Sequence, residues 1–120
     1  MANSHSLGRR GERQAVEYLA RKGYTILRTN WSTKHREIDI IAEDDSFIIF
    51  IEVKTRMAGF TVHPREAVSV PKQRNIISAA QSFLRENNID KEARFDIITI
   101  IKGGEDNELE HIMDAFYPTL

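Results

Sequence analysis

Residues 37–56 constrain this chain more than any other stretch. Ile38, Ile40 and Ala42 alternate with Glu37, Asp39 and Ile41 over residues 36–42. Phe47, Ile49, Ile51 and Val53 alternate with Ile48, Phe50, Glu52 and Lys54 over residues 47–55. A period of two predicts strands, and the polar residues 43–46 between them predict an antiparallel hairpin. The second face of that hairpin is unusual, because it mixes Ile41, Ile48 and Phe50 with Asp39, Glu52 and Lys54. A solvated face rarely carries such large apolar groups, and a buried one rarely carries such charges. A half-covered cleft reconciles the two.

A two-residue turn at Asp44 and Asp45 would set Glu37 opposite Glu52, Asp39 opposite Phe50 and Ile41 opposite Ile48. Asp39 and Glu52 would then be diagonal neighbours, about 7–8 Å apart at Cα, with carboxylates able to converge on one ion. Oxygen ligands with room for water suit Mg²⁺ or Mn²⁺. Lys54 lies on the same face, one pleat beyond Glu52, where a cation can hold a water or a phosphate oxygen. The same spacing also fits a surface hairpin with one Glu–Lys pair.

The remaining elements place this hairpin. Ala15, Val16, Leu19 and Ala20 recur at helical spacing over residues 7–22, with Ser6 as N-cap and Gly23 as the stop. Glu12 falls on the apolar stripe of that helix, so it either reaches the cleft or serves as a first-turn acid complementing the helix dipole. Gly8 and Gly11 thin the same end, as close approach of another backbone would require. Residues 24–28 read as a short strand, 29–35 as irregular and 56–70 as a loop. A strong helix begins at Pro71 and ends near Asn87, with Gln73, Ile76, Ile77, Ala80, Phe83 and Leu84 along one stripe. Residues 94–101 and 109–113 read as the last two strands, around a turn at 103–108. The order is α-β-β-β-α-β-β, a mixed sheet with helices packed on it.

At 120 residues, 41% hydrophobic and 29% charged, the chain has the size and composition of one globular domain over residues 1–120. It has no cysteine, which excludes disulfides, zinc ribbons, thiol nucleophiles and iron–sulfur clusters. No apolar run approaches a membrane span and no signal sequence is evident, so a cytoplasmic protein is expected. The net charge of −1 hides an asymmetry: residues 1–74 hold 13 Lys and Arg against 9 Asp and Glu, and residues 75–120 hold 4 against 9. A one-sided basic surface suits a polyanion, although an ordinary solvated surface gives the same count. Glycine-rich nucleotide loops, the dinucleotide-binding fingerprint and the G-x-S-x-G elbow are all absent. His5, His35, His63 and His111 show no shared metal spacing, and Trp31 reads as a packing residue or, less favoured, a base-stacking one.

Gly8-x-x-Gly11-Glu12, Glu37-Ile38-Asp39, Glu52-Val53-Lys54-Thr55-Arg56 and Lys72 together resemble the YraN family of uncharacterised bacterial proteins. The resemblance extends to Arg94-Phe95-Asp96 and Asp114-Ala115-Phe116. That family resembles archaeal Holliday-junction resolvases and the wider PD-(D/E)xK nuclease superfamily, with Ile38-Asp39 standing where the superfamily's name has Pro-Asp. The resemblance implies an α/β, restriction-endonuclease-like fold with a central mixed sheet flanked by helices. It implies Asp39 and Glu52 as ligands of Mg²⁺ or Mn²⁺, the backbone carbonyl of Val53 as a third, and Lys54 as the catalytic lysine. Glu12 matches the helix-one acid of the resolvases.

Two functions follow as expectations. In the first, the protein is a metal-dependent nuclease acting on DNA, with branched or repair-intermediate DNA as a natural substrate. Arg9, Arg10, Arg56 and Lys72 would position the backbone through phosphate contacts, and Glu12 would either complete the ligand shell through water or hold a second ion. In the second, the same cleft binds nucleic acid or a repair partner without cutting. The apolar Ala115-Phe116-Tyr117 tail allows either a homodimer contact or a packed last strand.

Overall fold

A computed structural model describes residues 4–59, 68–103 and 107–118, and the side chains of residues 4–9 fall outside that description. The elements are α1 (Ser4–Arg21), β1 (Thr25–Thr33), β2 (Arg36–Glu43), β3 (Phe47–Met57), α2 (Val70–Glu86), β4 (Glu92–Lys102) and β5 (Glu108–Phe116). Five strands form one sheet in the order β1-β2-β3-β4-β5, antiparallel except for the parallel β3–β4 pair. This is the mixed α/β architecture and element order that the sequence predicts.

The two faces of the sheet bury separate cores. Ala15 and Leu19 of α1 pack on Ile40, Ala42, Ile49, Ile51, Ile98 and Ile100. Ile76, Ala79, Ala80 and Phe83 of α2 pack on Ile41, Ile48, Phe50, Phe95 and Ile97. The central strands are covered on both sides, so residues 48–51 and 95–98 read as nearly continuous apolar runs. Helix α2 starts where Ser69 accepts the Lys72 N–H and Pro71 needs no donor, and it ends at Asn87. Gly23, at φ 97, closes α1 as expected.

Several boundaries differ from the sequence reading. Ser6 lies within α1, which already includes Ser4, and is not its cap. Residues 29–33 are not irregular: they continue β1, because β2 supplies pairing partners that local sequence does not reveal. Ile38 joins the α2-side core, whereas Ile40 and Ala42 face α1. The break in alternation falls at Asp39, across from Asn30, whose φ of 50 interrupts β1 between the pairs Thr29–Ile40 and Trp31–Ile38. Trp31 packs edge-on against Phe83, 5.2 Å between ring centres, and Phe116 stacks on Phe95. Phe116 is therefore core, and Tyr117 beyond it is 65% exposed.

Gly11 explains how closely α1 sits on the sheet. A Cβ at this position would stand 2.6 Å from Thr55 Oγ1, with Ile100 and Val53 just behind it. The close approach inferred from Gly11 is thus between helix and sheet. Gly11→Ala should lower the melting temperature despite the roughly 1 kcal/mol that alanine gains in a helix. Adding Thr55→Ala should recover most of the loss, which thermal denaturation of the two variants would show.

Candidate active site

The site is built where β2 parts from β3. The Asp44 carboxylate accepts the N–H groups of Ser46 and Phe47, so the turn residues are Asp45 and Ser46, not Asp44 and Asp45. The pairing Ile40–Ile51, Ile41–Phe50, Ala42–Ile49 and Glu43–Ile48 is therefore two residues away from the expected register. A shift of two preserves which side chains share a face. It also moves Asp39 from a diagonal position to the one directly opposite Glu52 when the register is continued. The paired ladder ends at Ile40–Ile51, one step short of them.

Beyond that point Asp39 replaces the missing strand partner. Its Oδ2 accepts the Val53 N–H at 2.8 Å. Glu52 is only 5% exposed, and its Oε1 lies 3.3 Å from Lys54 Nζ. Burial and the neighbouring Glu52 carboxylate push Asp39 up to about 7, against the Val53 hydrogen bond. Glu37 adds to the rise, while Lys72 at the start of α2 opposes it. Asp39, Glu52, Lys54 and Lys72 therefore act on one small region. The apolar half of the mixed face (Ile41, Ile48, Phe50) lies under α2, and the charged half lies past its edge.

Thr99 belongs to this region and was not singled out from sequence. It pairs with Lys54 on one side and Glu110 on the other, so the three stand side by side across the sheet. Thr99 is 6% exposed, and among the described residues its Oγ1 is buried without a hydrogen-bond partner. The signal in the sequence is one hydroxyl in the run IITII. Arg56 extends the Lys54 face of β3 and is half-buried, and Arg10 is exposed on α1. Arg9, His5 and His63 lie outside the described residues or side chains.

Glu12 is half-buried on α1, one residue past the Gly11 contact, on the helix that covers the opposite face from α2. Among the described residues no three His, Asp or Glu side chains gather as a metal-holding group. Glu12, Asp39 and Glu52 therefore do not form one such group.

A second polar cluster lies on the α1 side of β4. Asp96 is fully buried and accepts two hydrogen bonds from Arg94, at 2.9 Å each, and one from the Asp114 N–H at 3.0 Å. His111 Nε2 lies 2.7 Å from Asp96 Oδ2, and Tyr18 Oη lies 3.0 Å from His111 Nδ1. An ionised carboxylate only accepts, so His111 Nε2 donates to Asp96, while Tyr18 hydrogen-bonds to the other ring nitrogen. Burial alone would raise Asp96, but His111, Arg94 and the Asp114 N–H outweigh it and hold the carboxyl below its ordinary value. His111, expected as a surface or packing residue, ties β5 to α1 through this cluster.

The fold and the acid–acid–lysine set define a mixed α/β protein with one charged site at the open end of a strand pair. The chain belongs to the family described as "Uncharacterised protein family UPF0102", whose model matches residues 11–100. It is similar to UPF0102 proteins from Parabacteroides distasonis (45% identical, 98% of this chain and 97% of the relative) and Bacteroides thetaiotaomicron (41%, 100% and 99%). It is likewise similar to one from Chlorobium limicola (47%, 94% and 93%). Among the described residues no helix is long and apolar enough to cross a membrane.

Half-buried Asp39 and buried Asp96 should titrate in opposite senses. Asp39 binds its proton more tightly folded than unfolded, so its contribution is present below about pH 4 and is lost as pH rises through about 7. Asp39→Asn removes that loss. The metal-free variant should melt a few degrees above wild type at pH 8 and close to it at pH 4.5. Asp96 is the reverse, contributing at neutral pH and losing its contribution only in acid. Asp96→Asn should cost about 3–5 kcal/mol at pH 7, because Arg94 keeps a buried charge without its partner. Thermal melts across pH would separate the two.

Proposed function

We propose that this protein is a metal-dependent nuclease that hydrolyses phosphodiester bonds in DNA, with branched or repair-intermediate DNA as its substrate class. The carrying observation is that Asp39, held near pH 7 by burial and by Glu52, stands with Glu52 and Lys54 at the open end of β3. Two carboxylates forced together repel each other, and Mg²⁺ or Mn²⁺ would relieve the repulsion. Val53 supports the same reading: its N–H points at Asp39, and in a strand the carbonyl of a residue leaves by the same edge as its N–H. Asp39, Glu52 and the Val53 carbonyl are thus a plausible donor set of hard oxygens.

Such an ion supplies Lewis acidity toward the scissile phosphate and a bound water of lowered pKa. Asp39 gives up its proton when the cation binds. Lys54, beside Glu52, orients the attacking water and offsets the charge that grows on the phosphoryl oxygens. Thr99 offers its unmatched hydroxyl to that water or to the Lys54 ammonium. Lys72, in the first turn of α2, and Arg56, past Lys54, supply phosphate contacts at the mouth, with Arg10 and Arg9 further along α1. Glu12 on this reading acts on the site only through water, from α1. A cytoplasmic location fits this substrate.

Cleavage of labelled linear, flapped and four-way DNA with Mg²⁺ or Mn²⁺ tests the proposal. Wild type should cut at least one of them. Lys54→Ala should lose activity by a few orders of magnitude while still gaining thermal stability from Mn²⁺, since lysine is not a ligand. Asp39→Ala should lose both. A Lys54→Ala protein that cuts like wild type overturns the assignment. Absence of cutting, with DNA binding intact in every variant, would instead favour a non-catalytic binding module.

Thr99→Val gives an independent check, because it removes the hydroxyl and keeps the shape. The variant should be as stable as wild type or more so, since a buried unpaired hydroxyl costs about 1–3 kcal/mol. Its turnover should nevertheless fall several-fold.

A further inference from the structure

Lys54 stands between two acceptors of different kinds. Along its own strand, two residues back, the Glu52 carboxylate lies 3.3 Å from its ammonium. Across the sheet its register partner is Thr99, and Thr99 pairs in turn with Glu110 on β5. All four residues alternate toward the α2 side of the sheet. Phe50, Ile97 and Ile112, two residues away from them on the same strands, pack in that core, whereas Ile51 and Ile98 face α1.

Of the two acceptors, the carboxylate is engaged and the hydroxyl is not. Thr99 Oγ1 is buried and has no hydrogen-bond partner among the described residues. An unmatched buried hydroxyl is costly where valine would fill the same space, so its presence calls for a partner that arrives at some stage. Lys54 is the donor best placed to be that partner. Adjacent strands lie about 4.8 Å apart, which the four-carbon stem of a lysine spans. The Lys54 side chain is 27% exposed, against 6% for Glu52, so its tip has room to turn while the carboxylate stays fixed.

We infer that Lys54 has two stations, the Glu52 carboxylate and the Thr99 hydroxyl, and that a divalent cation at Glu52 drives the ammonium from the first to the second. The inference rests on the nuclease reading for the cation at Glu52 and deepens that reading for Lys54. A cation on Glu52 cancels the charge that attracts the ammonium and repels the ammonium directly. At the second station Lys54 Nζ donates to Thr99 Oγ1. A hydroxyl accepts and donates at once, so Thr99 can turn its own proton to the exposed Glu110 carboxylate. No covalent bond changes: two cations exchange one carboxylate. Lys54 thus competes with the metal for Glu52, and Thr99 is a positioning residue that receives the displaced ammonium and holds it beside the site.

Titration calorimetry with Mn²⁺ on EDTA-treated, dialysed protein tests this without any substrate. Thr99→Val removes the second station and should weaken Mn²⁺ binding five- to tenfold. Thr99→Ser keeps the hydroxyl and should stay within twofold of wild type. Lys54→Ala removes the competitor and should bind Mn²⁺ at least as tightly as wild type. Adding Thr99→Val to Lys54→Ala should then change the affinity by less than twofold, since the hydroxyl acts through the lysine. Thr99→Val that binds Mn²⁺ as wild type does overturns the inference, as does Lys54→Ala that binds it more weakly. An equal loss from Thr99→Val with and without Lys54 also overturns it, because the hydroxyl would then act on water held by the metal. The nuclease reading fails separately: a protein that shows the whole pattern yet cuts no DNA keeps the two stations and loses the activity. Wild type that takes up no Mn²⁺ removes both.

Discussion

The parallel pairing of β3 with β4 is the constraint on which the rest depends. It runs in unbroken register from Phe47–Glu92 to Met57–Lys102. Parallel strands need a crossover, here through α2, and both faces must be covered, which α1 and α2 do. Because β4 supports β3 along its full length, β3 can outlast β2. The strand therefore continues through Glu52 and Lys54 with one edge open, and Asp39 fills the first vacant position. A β3 supported only by β2 would end at Ile51, and the charged residues would sit in a loop without fixed geometry.

Two aspartates on this frame, Asp96 buried and Asp39 half-buried, illustrate what a carboxylate costs and what it can do. Asp96 is enclosed by Arg94, His111 and the Asp114 N–H, so its charge is compensated and it ties β4 to the bulged end of β5, where Asp114 has φ 54. Asp39 receives one backbone N–H and faces another carboxylate. The first arrangement is stable by itself. In the second, burial and Glu52 raise the carboxyl to about 7, and the Thr99 hydroxyl, buried without a partner among the described residues, adds a second unmet demand. Unmet electrostatic demand concentrated in one place is the mark of a functional site, while the satisfied cluster on the other face reads as architecture.

The β1–β2 hairpin shows the same divergence. Once β2 leaves β3, its hairpin with β1 has no sheet neighbour on that side, and only α2 steadies it through Trp31 and Asn75. Lys72 connects the two regions, since it opens α2 and acts on Asp39.

Periodicity alone determined the element order, the mixed face of the central hairpin and the grouping of Asp39, Glu52 and Lys54, because side-chain alternation is a local property of a strand. The size and apolar content of the chain required a covered sheet, and the stripes of α1 and α2 supplied the cover. The register was not legible: a carboxylate at Asp44 capping Ser46 and Phe47 moved the turn by one position and the pairing by two. Nor were the reach of β1 through residues 29–33, the role of Gly11 as a seat for Thr55, or the cluster around Asp96. Each of these is a contact between residues far apart in the chain, and only the folded sheet brings them together. Glu12 shows the limit most clearly. Its place on the apolar stripe of α1 was legible, but which side of the sheet that helix covers was decided by tertiary packing alone.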